Sequence, residues 1–404
     1  MPAFAARRLN PRLAQIESAQ CGSEPGGQLF SVGAGTTNLG ESADFGDVKI
    51  LEPNCGTNST NIMNSDSPLQ YPFAQIPTPG ETVRVAPGVH WLRMPLPFAL
   101  DHINLWLLED DDQWVIIDCG YGNEATRELW KQFIETRIGM AGVSRVLATH
   151  HHPDHVGNAG WLTQKFGAPF WIPQAEYLSA HALRDGAAGQ SREHMAALYH
   201  RNGLDETHGP GILKGRDYYR KGVPDFPVSY RRICEGDSIL IGSNTWRVIM
   251  GYGHAPEHAS LYCESLGVFI SGDMLLPRIS TNVSVPASQP EANPLRLFLE
   301  SLSRYATLPA QTLVLPSHGL PFRGMHERIA QLKEHHRLRL GELLEACETP
   351  KCAAEVLGVL FKRQLDSHQM LFAMGEAMAH LHYLYEEGSL SRIKDETLIR
   401  YQRI

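Results

Sequence analysis

The residues most able to do chemistry lie in one short segment, Thr149-His150-His151-His152-Pro153-Asp154-His155, directly after the apolar run Arg145–Ala148. Imidazole nitrogens and carboxylate oxygens bind a borderline cation such as zinc at about 2.0–2.2 Å. Four imidazoles and a carboxylate within seven residues exceed what one tetrahedral ion can use. The spacing therefore suits two metal ions held side by side. A solvated histidine-rich loop is the competing reading, and the position between an apolar strand and Gly157 opposes it.

Four further segments carry candidate polar chemistry in chain order. They are Trp114-Val-Ile-Ile-Asp118-Cys-Gly120, Gly253-His254-Ala-Pro-Glu-His258, Ser271-Gly272-Asp273 and Ser317-His318-Gly319. With the histidine-rich segment, which resembles an HxHxDH signature, this ordered set resembles the metallo-β-lactamase superfamily over roughly Val85 to Gly324. The resemblance implies an α/β fold, an αββα sandwich, and a dinuclear centre. It implies a first site of His150, His152 and His254, and a second of Asp154, His155 and His318. Asp273 is expected to bridge the two. Asp118 would orient a ligand imidazole, and His258 would make a structural hydrogen bond or touch substrate. His151 falls at the variable position of the signature, where a ligand is not expected.

Two zinc ions are the expected cofactors, with iron or manganese as other occupants of such mixed sites. The implied reaction is hydrolysis by a metal-bridging hydroxide. Asp154 would serve as ligand and as the residue that orients the nucleophile. An aspartate at position 273 favours the branch resembling glyoxalase II and lactonases over true β-lactamases, which commonly carry Cys or Ser near that position. Only 45 residues separate Asp273 from His318, too few for the inserted domain of the related β-CASP nucleases. His152 and the lack of a following flavodoxin-like domain oppose a flavodiiron protein. The expected substrate is a small acyl-bearing thioester, ester or lactone. The apolar Pro95–Leu100 segment would act as a flap, Arg278 as an anion contact, and residues 175–227 as a lid.

The elements that must position these residues follow from apolar periodicity. Short runs at Val89–Met94, Ile103–Leu108, Trp114–Asp118 and Arg145–Thr149 predict strands, and Asn123–Ile138 predicts a helix. A second batch of strands runs from Ile233 to Ser271, with Thr312–Leu315 closing the set after a helix at Pro294–Tyr305. From Met325 the sequence predicts three helices, Met325–Cys347, Ala353–Phe361 and His368–Glu387. A charged hairpin follows within Gly388–Gln402. That order resembles the superfamily subgroup ending in a winged-helix domain, some members of which cleave single-stranded RNA. An endoribonuclease is therefore the alternative function. The expected organisation is an N-terminal extension over 1–62 without fixed structure, a linker over 63–84, a hydrolase domain over 85–324 and a winged-helix-like domain over 325–404. Met63 is an alternative start.

Composition bounds the rest. Lys plus Arg number 36 and Asp plus Glu 44, a net charge of −8, which excludes a protein built around a broad basic face. Residues 325–404 hold eleven basic and twelve acidic side chains, and only Arg328, Lys333, Arg337 and Arg339 approach a basic stripe. The C-terminal domain is thus expected to pack over the site or support a homodimer rather than to guide RNA. Seven scattered cysteines without a CxxC pair suit a reducing cytoplasm. No apolar run reaches the roughly 20 residues of a membrane span.

Overall fold

Two-residue alternation builds the first sheet. Along β3 (His102–Asp110), Ile103, Leu105 and Leu107 face one side, while Trp106 and Leu108 face the other. The computed structural model describes residues 69–404 except 140, 188 and 206–217. The expectations for residues 1–62 and for Met63, and part of the expected lid, lie outside the described residues.

The first sheet contains β1 (Thr82–Ala86), β2 (Val89–Pro95), β3, β4 (Gln113–Ile117), β5 (Val143–Leu147), β6 (Phe170–Ile172) and β7 (Arg231–Arg232), in that spatial order. Its pairing is antiparallel as far as β4 and parallel from β4 to β7. The second sheet has the order β12-β11-β10-β9-β8. Its strands are β8 (Ser238–Ile241), β9 (Asn244–Gly251), β10 (His258–Cys263), β11 (Val268–Gly272) and β12 (Leu313–Pro316), and β11 and β12 pair in parallel.

The helices among the described residues are α1 (Glu124–Phe133), α2 (Pro153–Val156), α3 (Ala159–Phe166), α4 (Gln174–Asp185), α5 (Arg192–Arg201), α6 (Tyr218–Gly222), α7 (Pro294–Tyr305), α8 (Met325–Ala346), α9 (Leu357–Leu360) and α10 (Ser367–Glu386). A π-turn over Ile134–Ile138 extends α1 and ends at Gly139, whose φ is 52°. Helix α6 lies inside the segment 175–227 expected to act as a lid.

Three apolar clusters define four layers. Trp91, Trp106 and Ile117 of the first sheet meet Trp246, Val248 and Ile270 of the second. The outer face of the first sheet packs against α1, α3 and α4 through residues such as Trp130, Leu162 and Ala180. The outer face of the second sheet, represented by Ile249, Phe269 and Val314, packs under α7, α8 and α10. The result is an αββα sandwich.

The C-terminal region follows the expected order of helices and then a hairpin, β13 (Leu390–Lys394) with β14 (Ile399–Arg403). Its apolar cluster runs without a break from Phe269 through Phe298 and Ile329 to Met374 and Tyr401. Residues 69–84, expected as part of a linker, are instead tied down. Leu69 is buried, Gln70 and Arg323 exchange backbone hydrogen bonds of 3.0 and 2.8 Å, and β1 begins at Thr82. Burying Leu69 and pairing both backbone groups of Gln70 removes the freedom a linker would need.

One close approach fixes the histidine-rich loop. A Cβ on Gly157 would come within 2.3 Å of the Gly122 nitrogen and 2.5 Å of the Gly222 oxygen. The loop after β4, the end of α2 and the end of α6 therefore touch backbone to backbone, and Gly122 donates to Gly222 at 2.9 Å. Gly157→Ala is expected to destabilise the protein by about 1–3 kcal/mol through overpacking, read as a lower thermal midpoint. An unchanged midpoint would contradict this packing.

Candidate metal centre

Five strands deliver the chemistry-bearing residues beyond their carboxyl ends. Asp118 follows β4, the His150–His155 segment follows β5, His254 follows β9, Asp273 follows β11, and His318 follows β12. The candidate ligands come together as two groups, His150 with His152, His254 and Asp273, and Asp154 with His155 and His318. Within each group, one ligand atom per residue lies within 4.8 Å of all the others.

The distances fit tetrahedral cations. Bonds of about 2.0–2.1 Å place neighbouring ligand atoms about 3.3 Å apart. In the first group, His150 Nε2 lies 2.9 Å from His152 Nδ1 and 3.2 Å from His254 Nε2, and His254 Nε2 lies 3.4 Å from Asp273 Oδ2. In the second, Asp154 Oδ2 lies 3.6 Å from His155 Nε2 and 3.4 Å from His318 Nε2. The other carboxylate oxygen, Asp273 Oδ1, stands 3.5 Å from each of those two imidazoles. Asp273 thus directs one oxygen to each group.

Two buried atoms among these residues, His155 Nε2 and Asp273 Oδ1, have no hydrogen-bond partner. Leaving such atoms unpaired is costly, and a cation between them satisfies both. The residues present therefore fit a pair of metal ions.

The second ring nitrogens show how the imidazoles are aimed. His155 Nδ1 donates to Asp118 at 2.8 Å, His254 Nδ1 to the Asn282 carbonyl at 2.8 Å, and His318 Nδ1 to the His102 carbonyl at 2.9 Å. Each leaves Nε2 facing its group. Asp118 also accepts from the Thr149 backbone N–H at 2.7 Å and from its hydroxyl, which lies 3.1 Å from His150 Nδ1. It does so from a left-handed backbone, φ 62°, that only a few non-glycine residues adopt.

His258 is buried, and burial is the main cause of its fall to about pH 3 in pKa. Its neutral Nε2 accepts the Asp273 backbone N–H at 3.1 Å. It is packed so tightly that a Cβ on Gly272 would sit 2.3 Å from the ring. Arg278 is exposed, and its guanidinium rests 5.9 Å from the Tyr71 ring. His336, His380 and His382 are buried away from the two groups, in the C-terminal region.

Two positioning residues had no sequence signal. Glu176, fully buried in the first turn of α4, accepts from the backbone N–H of His151 at 3.0 Å and of Glu257 at 2.6 Å, and also pairs with the His151 ring. One carboxylate thereby joins the loop carrying His150 and His152 to the loop carrying His254. His102 accepts the Gly319 N–H at 2.9 Å and so braces the His318 turn. Both act on backbone groups far away in sequence, which no local spacing reveals.

The two groups differ in charge. Burial, reinforced by neighbouring imidazoles, pushes His150 and His152 well below the ordinary range, so both are neutral and ready to ligate. Burial also opposes charge on His318, but Asp273 and Asp154 outweigh it and lift the imidazole to about 10. His155 is likewise held high by Asp118, Asp154 and Asp273 against the effect of burial. Metal entering the second group must therefore expel protons at neutral pH.

Two profiles describe larger spans of the chain. The family described as "Metallo-beta-lactamase superfamily" matches residues 99–318, and "Metallo-beta-lactamase-like, C-terminal domain" matches residues 340–404. The structure is similar to that of a beta-lactamase domain protein from Burkholderia ambifaria, with a TM-score of 0.77 and 50% identity over 83% of this chain and 98% of that one. A probable metallo-hydrolase, YqjP, of Bacillus subtilis (strain 168) is 26% identical over 74% of this chain and 93% of its own length. A hydroxyacylglutathione hydrolase of Idiomarina loihiensis is 22% identical over 54% of this chain and 62% of that protein.

Two outcomes follow from the geometry. Glu176→Gln should weaken binding to the first group by about 10–100-fold, measured by competition with a chromophoric chelator; unchanged affinity would remove the clamp. Affinity for the second ion should rise with pH from neutrality towards about 10, as His318 loses its proton, while the first group shows no such rise. Calorimetry in buffers of different ionisation enthalpy reads the released protons, and their absence at pH 7 would contradict the charge assignment.

Proposed function

The chain belongs to the metallo-β-lactamase superfamily, and on that premise we propose that it hydrolyses a thioester, ester or lactone of a small acyl-bearing metabolite. The observation that carries this reading is an aromatic wall beside Asp154. Phe98, from the proposed flap, packs edge-on against Tyr121 at 5.3 Å and lies 6.2 Å from Tyr218. Burial first, and then the nearby Asp154 charge, raise the pKa of the Tyr121 phenol. Tyr218 is raised by burial, by Tyr121 and by Asp154. Both phenols therefore remain protonated at neutral pH, and their rings join Phe98 in the wall. Such a wall suits an acyl chain or aromatic ring ending in a polar reacting group. The weaker similarity to a hydroxyacylglutathione hydrolase supports the same class.

In this reading His150, His152 and His254 hold one ion, Asp154, His155 and His318 hold the other, and Asp273 holds both. Zinc is the proposed occupant, given a set of only imidazole and carboxylate ligands, with iron or manganese as alternatives. The ions, when bound, supply an activated water and polarise the scissile carbonyl. Asp154, at the edge of the second group, orients the nucleophile. Asp118, Thr149 and Glu176 keep the imidazoles aimed, and the Phe98 side of the flap shields the acyl group from solvent.

Binding of single-stranded RNA finds less support. Arg337 and Arg339 are engaged by Glu334 and Glu342, Arg392 and Lys394 by Glu291, and Arg400 by Asp395. Arg328, counted from sequence among the residues of a basic stripe, is buried. A guanidinium inside the fold cannot meet phosphate, so that part of the stripe does not exist. Among the described residues, no helix is long and apolar enough to cross a membrane.

The test is parallel turnover of acyl-thioesters, lactones, a phosphodiester and single-stranded RNA by the metal-loaded protein and by Asp273→Ala. Carbonyl turnover should fall by about 100-fold or more in the variant, together with metal content. RNA degradation that EDTA abolishes, without carbonyl turnover, would overturn the proposal. Phe98→Ala should raise KM for a longer acyl substrate by about tenfold at unchanged metal content; an unaltered KM would remove the flap from the pocket.

A further inference from the structure

The segment Met274–Val285 connects the candidate metal centre to the C-terminal helices. At one end it follows Asp273, whose backbone carbonyl accepts the Thr281 hydroxyl. Near the other end, the Asn282 carbonyl receives His254 Nδ1–H at 2.8 Å. This single segment therefore sets the backbone of the carboxylate that spans both groups and the ring orientation of an imidazole in the first.

Two residues of the C-terminal helices hold it. Arg328 of α8 is only 8% exposed, and it donates Nε–H to the Leu276 carbonyl at 2.7 Å and Nη2–H to the Ile279 carbonyl at 2.8 Å. Its Nη1–H donates to the Gln331 side-chain oxygen at 3.2 Å. No carboxylate pairs with it among the described residues. Burying a guanidinium without a counter-ion is expensive, and here the charge is met by the carbonyls of the segment itself.

On α10, Gly375 accepts the Val285 backbone N–H at 3.2 Å. A Cβ at Gly375 would lie 2.6 Å from the Ser284 side chain. The helix thus runs against the segment at a distance only glycine allows. Met274, Leu275, Val283 and Val285 share one apolar cluster with Met325, Ile329 and Met374.

We propose that the C-terminal domain is a positioning element of the metal centre, acting through Arg328 and Gly375 on the segment that sets Asp273 and His254. The domain holds the hydrolase site together instead of serving as an attached substrate reader. This proposal rests on the two-metal reading of the site and is independent of which bond is cleaved.

The test uses the full chain, stripped of metal by chelation and titrated with cobalt(II), whose visible absorption reports ligand geometry. Arg328→Lys keeps the charge and stem but cannot serve two diverging carbonyls. Gly375→Ala forces the helix away from Ser284. Arg337→Ala, on the exposed side of α8, is the control. Both test variants should bind cobalt roughly tenfold more weakly and show displaced visible bands, and the control should match the unaltered chain. Lowered thermal stability with unchanged cobalt affinity and spectrum would overturn the proposal, because it would reduce Arg328 and Gly375 to ordinary packing. If Arg328→Lys fails to fold, Gly375→Ala decides by the same two readouts. Failure of the unaltered chain to bind cobalt would overturn the two-metal reading and this proposal together.

Discussion

The arrangement depends on one carboxylate facing two ways. Asp273 sends one oxygen to His254 and the other to His155 and His318, at 3.4–3.5 Å in each case. Those imidazoles hold its pKa well below the carboxylate range in spite of burial, which opposes the charge. Such a group is tolerable inside a protein only where positive charge surrounds it. Much of the neighbouring architecture keeps it in place. Gly272 adopts φ 56°, His258 receives the Asp273 N–H, Thr281 caps its carbonyl, and the sheet edge formed by β11 and β12 brings His318 within reach.

The same carboxylate divides the site into unlike halves. Around His150 and His152 the protein is crowded with imidazoles and low in anions, and those rings stay neutral. Around His155 and His318 three aspartates gather, and the rings stay charged until something displaces the proton. The halves therefore differ before any ion arrives, although their ligand types overlap.

Much of this was legible in the sequence, and the reason is physical. The two sheets announce themselves because buried strands alternate or run apolar, as in Ile103–Leu108 and Val268–Ile270. Candidate ligand residues cluster in short motifs because strand ends deliver several side chains from one loop, as the His150–His155 segment does. What stayed hidden acts through backbone atoms at long range. Glu176 sits in an unremarkable helical pattern, and its partners lie 25 and 81 residues away. Arg328 read as a surface cation because nothing in α8 itself shows that Leu276 and Ile279 turn their carbonyls towards it. Arg278, expected to meet substrate, rests on Tyr71, a residue from the stretch expected to be a linker.

The distribution of the proposed ligands along the chain bears on when the centre can acquire its ions during synthesis. His150, His152, Asp154 and His155 leave the ribosome together, His254 and Asp273 follow much later, and His318 later still. Arg328 and Gly375 emerge after all of them. A nascent chain thus carries only part of the proposed ligand set for much of its translation. Such a partial set would favour whichever metal binds histidine most avidly. On the proposed reading, the geometry of the centre is completed only after α8 and α10 have docked against the Met274–Val285 segment.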